Sequence, residues 1–219
     1  MTFTPAKIID SPQAGIHKNL EKTLRKYSAS VYKKPIGEHT QRVFEQAYGF
    51  WQQSDYQSVF LDSACGTAES TRFLAQQNPN VLVIGLDQSA KRLSHSDNKN
   101  LANNCLVLRC DCTDFWRLAE EANWHFAYHS LYYPNPYPKP DDLQKRWHGH
   151  PAFASLLAIS ERFELRTNWR IYAEEFDFAL QVLGRADRGV VQYKTEEPIT
   201  AFERKYLKSG HELWRVHSQ

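Results

Sequence analysis

The chain has 219 residues, 42% hydrophobic and 24% charged, with a formal net charge of +2. That is enough for one sizeable α/β domain with its own core, and it excludes a disordered or fibrous chain. No apolar run approaches the ~18 residues that span a bilayer, and the N-terminus MTFTPAKIIDSPQ lacks the basic-then-apolar layout of a secretory signal, so a cytoplasmic protein is expected. Four cysteines fit a reducing compartment. Cys110 and Cys112 form a C-x-C pair with no second pair to complete a zinc set, and no metal site is expected.

Charge is unevenly spread. Residues 1–36 carry seven Lys/Arg against Asp10 and Glu21, a net +5, which leaves −3 for residues 37–219. The expected organisation is a basic N-terminal arm, 1–36, and a catalytic domain, 37–219. Such an arm suits a polyanion; a solvated helix face with a flexible tail is the alternative.

In chain order, residues 38–53 place Val43, Phe44, Ala47, Tyr48 and Trp51 at helical spacing. A buried strand follows at 57–62, then a helix stopped at Asn78-Pro79. A second strand, 80–87, ends in Asp87, and Ser89 is a plausible cap for a helix over 89–102. A third strand, 105–111, ends in Asp111; a short helix and a fourth strand, 125–133, come next. The prolines of YPNPYPKP (133–140) rule out a helix or a central strand and hold Asn135 on a stiff loop. Beyond it the pattern predicts a helix near 151–160, a strand at 162–168, a helix at 169–183 and two closing strands, VVQYK and HELWRVH. This alternation predicts an α/β fold: a doubly wound, mostly parallel sheet with helices on both faces.

In such sheets ligands sit at the carboxyl ends of the strands. The first end, LDSACGTAEST (61–71), has the layout of a glycine-rich nucleotide turn. Ala64 and Ala68 stand where glycine is usual, and Gly66 remains. Asp87, about twenty residues on, suits ribose hydroxyls, and Asp111 suits an adenine amino group. The turn has no lysine for a phosphate. An adenosine joined to a cationic sulfur fits better, which points to S-adenosyl-L-methionine, with Asp62 facing its amino group. His148 and His150 flank Gly149 in a loop, within reach of phosphate or solvent. Trp147 and Tyr137 either stack on a base or pack the loop.

LDSACGTAEST, VIGLD with SAKRL, RCDCTDFWRL and YYPNPYPKP follow the order of class I methyltransferases. KRWHGHPAF (145–153), LRTNWRIYAEEF (165–176) and TAFERKYLKSGHELW (200–214) resemble the bacterial tRNA guanine-N7 methyltransferase family, TrmB, from about Val59 to Trp214. The resemblance implies a class I S-adenosylmethionine-dependent fold, tRNA as partner and N7 of guanosine as methyl acceptor. It implies that Asp62, Gly66, Asp87 and Asp111 bind the donor. Asn135 and Asn168 take catalytic places, and Lys139, Thr167, Asn168, Thr200 and Glu203 bind substrate. The family has aspartate where Asn135 and Asn168 stand, and basic residues where Asp141 and Asp142 stand. An Asn-Pro loop is also similar to that of methyltransferases acting on exocyclic amines of nucleobases. A third reading is a donor- and RNA-binding protein of weak activity. A monomer or homodimer is expected.

Overall fold

The computed structural model describes residues 4–95, 101–185 and 189–218. In chain order the elements are α1 (Leu20–Ser28), α2 (Glu38–Gln52), β1 (Val59–Ser63), α3 (Glu69–Gln77), β2 (Leu82–Asp87), α4 (Ala90–Leu93), β3 (Cys105–Arg109), α5 (Cys112–Glu121) and β4 (Tyr128–Tyr132). Two 3-10 turns follow, Pro140–Lys145 and Trp147–Gly149, then α6 (Phe153–Ala158), β5 (Phe163–Thr167), α7 (Arg170–Val182), β6 (Val190–Tyr193), α8 (Ala201–Lys208) and β7 (Leu213–His217). They fall into two compact units: residues 33–132 with 154–163, and residues 1–32 with 133–153 and 164–219.

In the first, here the parallel unit, β1 pairs with β2, β2 with β3 and β1 with β4, all parallel. The chain steps outward from β1 to β3 and then returns to the other side of β1, so the winding reverses between β1 and β4. Asp62 lies at that reversal, opposite Gly85 of β2 and Ser130 of β4. Every residue of β2 is buried, as in a parallel strand covered on both faces. α2 turns Phe44, Tyr48 and Trp51 onto Trp124. The break at Asn78-Pro79 ends α3 at Gln77, and Ser89 caps α4 by accepting from the Arg92 N–H. α4 is one turn long; the remainder of the helix expected over 89–102 falls partly on residues 96–100, outside the described residues.

In the second, the antiparallel unit, β7 pairs with β5 and with β6, both antiparallel. α1 and α8 were not among the expected elements. α1 buries Leu20 and Leu24 within the stretch read as a basic arm, and Thr200 opens α8 as its cap.

Candidate active site

The first βα turn of the parallel unit does with alanine what glycine usually does. Ala64, Gly66 and Ala68 all have left-handed backbones, with φ of 59°, 61° and 57°. Each alanine costs on the order of 1 kcal/mol relative to glycine in that region. The Gly66 N–H donates to the Asp87 carboxylate at 2.9 Å, which ties the turn to the end of β2.

Asp62 is buried and accepts from three hydroxyls, Ser70, Thr71 and Ser130, each at 2.7 Å. Burial raises its pKa above the usual carboxylate value, and those hydrogen bonds only partly offset the effect. Thr71 approaches because β2 carries glycine opposite: a Cβ on Gly85 would overlap the Thr71 side chain. Asp87 accepts from the Ser89 N–H at 2.7 Å and from Nε and Nη2 along one edge of the Arg92 guanidinium, the shortest at 2.8 Å. Arg92 was not singled out in the sequence, although it lies five residues beyond Asp87.

Asp111 does not end a strand. β3 stops at Arg109, and Asp111 caps α5, accepting from the Thr113 hydroxyl and the Thr113 and Asp114 N–H groups. Burial alone would raise its pKa; these hydrogen bonds and Lys34, 3.8 Å away, lower it below the ordinary value. All four cysteines are free thiols, and burial pushes their pKa values up. Among the described residues no group of three or more His, Cys, Asp or Glu stands together to hold a metal.

The remaining candidates lie in the antiparallel unit. Asn135 and Lys139 are exposed, and their side chains have no partner among the described residues. Their loop is held under strain: Tyr133 and Tyr137, two residues either side of Asn135, have φ of 52° and 44°, a region that bulky side chains avoid. Asn168 is half-buried, with its amide nitrogen 3.0 Å from His211 Nδ1. Thr167 is buried, and its hydroxyl accepts from the Trp169 N–H.

Thr200 and Glu203 hold one another and their surroundings. The Thr200 hydroxyl accepts from the Glu203 N–H, and the buried Glu203 carboxylate accepts from Tyr133 OH, Arg166 and the Ile199 N–H. A cavity of about 620 Å³ lined by Tyr193, Leu207 and His211, among others, shares His211 with Asn168. His148 is not a loop histidine open to phosphate or solvent. It is fully buried, with Nε2 2.9 Å from Glu175, and burial lowers its pKa. Lys145 lies over the Tyr137 ring, so that ring packs within the loop.

No protein-family model matches the chain. It is 30% identical over 166 residues to a tRNA (guanine-N(7)-)-methyltransferase of Xanthomonas axonopodis pv. citri, covering 70% of this chain and 63% of that protein. It is 25% identical over 201 residues to one of Streptococcus thermophilus, covering 84% and 93%. Of the Xanthomonas relatives it matches, the chain spans between 48% and 65% of the length. Among solved structures, the 16S rRNA methyltransferase KamB superposes with a TM-score of 0.56 at 16% identity, covering 78% of this chain and 92% of that one. A 16S rRNA (adenine(1408)-N(1))-methyltransferase from Catenulisporales acidiphilia gives 0.55 at 14%, covering 78% and 89%. The fold matches that of these solved methyltransferases, and the sequence is similar to those of the bacterial tRNA (guanine-N(7)-)-methyltransferases.

Proposed function

We propose that the chain is an S-adenosylmethionine-dependent methyltransferase acting on N7 of a guanosine in tRNA, in the cytoplasm, as a monomer or homodimer. The observation that carries this reading is the exposed Asn135 amide, without a partner among the described residues, on a strained loop directly after β4. The relatives named above carry this activity in their names.

The parallel unit's residues suit the donor. Asp87 already accepts several N–H donors, and ribose hydroxyls can take the place of the Arg92 guanidinium on the same oxygens. Asp111 spends Oδ1 on its cap and keeps Oδ2, near Lys34, for a further donor. Asp62, held by three hydroxyls, would supply buried negative charge towards the donor's amino group. S-adenosylmethionine would supply the methyl group, its C–S bond breaking as the N7 lone pair attacks.

No proton has to leave N7, so the chain's task is orientation and charge. The Asn135 amide oxygen can accept from guanine N1–H or N2–H, and Lys139 can meet a phosphate. Asn135 and Asn168 keep acceptors but lack the charge that a carboxylate would give a cationic product. Residues 1–36 contact phosphates through lysines such as Lys22 and Lys26, exposed on α1. Among the described residues no helix is long and apolar enough to cross a membrane.

The test is to incubate the protein with labelled donor and unmodified tRNA, digest, and identify the nucleoside. N7-methylguanosine supports the reading. N6-methyladenosine would favour an exocyclic amine, which the neutral amide of Asn135 also suits, and binding of donor and RNA without transfer would leave a binding protein. Replacing Lys22 and Lys26 by glutamine should flatten the salt dependence of tRNA binding by about two phosphate contacts.

A further inference from the structure

Arg146 has no exposed surface, an uncommon setting for an arginine. Its guanidinium donates to the carbonyls of Tyr137 and Lys139, in the loop that carries Asn135. It also donates to Glu175, itself buried, and to the Gln13 side-chain oxygen. Its Cζ lies over the ring of Trp169, next in the chain to Asn168, 5.0 Å from the centroid. Glu175 accepts in turn from His148, from the Gln13 amide and from the His17 N–H. Burial would push Glu175 up, but the His148 and Arg146 donors hold its carboxyl well below the usual range. The pair stays ionised, and each of the three guanidinium nitrogens has an acceptor.

We propose that Arg146 is a positioning residue for methyl transfer. It clamps the two loop carbonyls that fix where Asn135 and Lys139 stand, and Glu175 and Gln13 keep the fork aimed. This deepens the methyltransferase reading above and rests on it. The geometry favours the role because the Asn135 side chain has no hydrogen bond among the described residues to hold it. Its place is set by backbone alone, with strained tyrosines on either side. A lysine could keep one charge beside Glu175, but one ammonium cannot span both carbonyls, Gln13 and the carboxylate. The N-terminal stretch that supplies Gln13 is thereby part of the substrate side and more than a charged tail.

The experiment compares single-turnover methylation of unmodified tRNA by the wild-type full chain and by Arg146→Lys, Gln13→Ala, Asn135→Ala and the Arg146→Lys/Asn135→Ala double variant. Misplacement of a reacting group by about 1 Å is enough for a loss of roughly a hundredfold. We expect Arg146→Lys to lower the saturating rate at least about tenfold and Gln13→Ala by less. Affinity for S-adenosylhomocysteine and apparent KM for tRNA should stay within about threefold of wild type, as positioning predicts. In the Asn135→Ala background, Arg146→Lys should cost little more, because the residue it positions is gone. A folded Arg146→Lys protein with an unchanged rate, or additive losses in the double variant, would overturn the proposal. Should Arg146→Lys not fold, Gln13→Ala decides, alone and as the Gln13→Ala/Asn135→Ala double variant, by the same comparison. A wild-type protein that transfers no methyl group to RNA overturns the reading beneath and the proposal with it.

Discussion

The βα turn of the parallel unit and the proline loop of the antiparallel unit solve opposite problems. In the turn, the candidate groups are carboxylates, and each is saturated by its own chain: Asp62 by three hydroxyls, Asp87 by two backbone N–H groups and Arg92. In the loop, the candidates are an amide and an ammonium with no partner among the described residues, and the hydrogen bonds go to the backbone beneath them. The difference follows from burial. A buried carboxylate without donors costs several kcal/mol, so it must be satisfied before any ligand arrives. An exposed amide is satisfied by water and can be left open, provided that its backbone is held.

The largest expected effect breaks the first half of this contrast. Asp62→Ala should destabilise the protein by about 3 kcal/mol, because three buried hydroxyls lose a charged acceptor. Urea unfolding reads this directly, and a cost under about 1 kcal/mol would mean that the hydroxyls find other partners. Next comes Asp87→Ala, which should weaken donor binding by about 1–3 kcal/mol, whereas Arg92→Gln leaves the carboxylate and should bind donor as well as or better than wild type. Calorimetry with S-adenosylhomocysteine separates the two, and unchanged affinity in a folded Asp87→Ala protein would remove Asp87 from the donor site.

The third effect concerns pH. His129 is buried between Ser63 and Ser160, and burial lowers its pKa from 6.5 to about 3. Below pH 6.5 the unfolded chain takes up a proton that the folded chain refuses. Stability should therefore fall as pH drops from 6.5 towards 3, by up to about 1.4 kcal/mol per pH unit from this group. Urea midpoints between pH 7 and pH 5 test it; a flat profile would require a charged His129.

On the loop side, Asn135→Asp restores the negative field that a cationic product favours, at an exposed position where folding should not suffer. Turnover on guanine N7 should be equal or higher. A fall of about tenfold, 1.4 kcal/mol of transition-state stabilisation, would mark the neutral amide as tuned to an exocyclic amine. The smallest effect is Ala64→Gly, which should stabilise by about 0.5–1 kcal/mol by relieving a left-handed alanine. Thermal unfolding with a lowered Tm would show that the methyl is held by contacts worth more than the strain.

Strand–helix alternation was enough to place β1 to β5 and most helices within a few residues, because β-branched runs and the stops at Pro79 and Ser89 act locally. α1 escaped because its lysines read as a charged arm, while two leucines, Leu20 and Leu24, carry its buried face. Asp111 read as a strand end, yet the same residue type caps helices, and only the path of the chain chooses between them.

The sequence by itself determined the order of elements, the acids near the strand ends, the single remaining glycine of the turn and the stiffness around Asn135. These are properties of residue type and near neighbours. Tertiary structure alone decided who partners whom. Nothing local says that Arg146 and His148 are buried on Glu175, 29 and 27 positions away, or that Asp62 meets Ser130. Charged side chains read as solvated in a sequence, since burial costs them too much without partners, and the partners come from distant segments that only folding brings together.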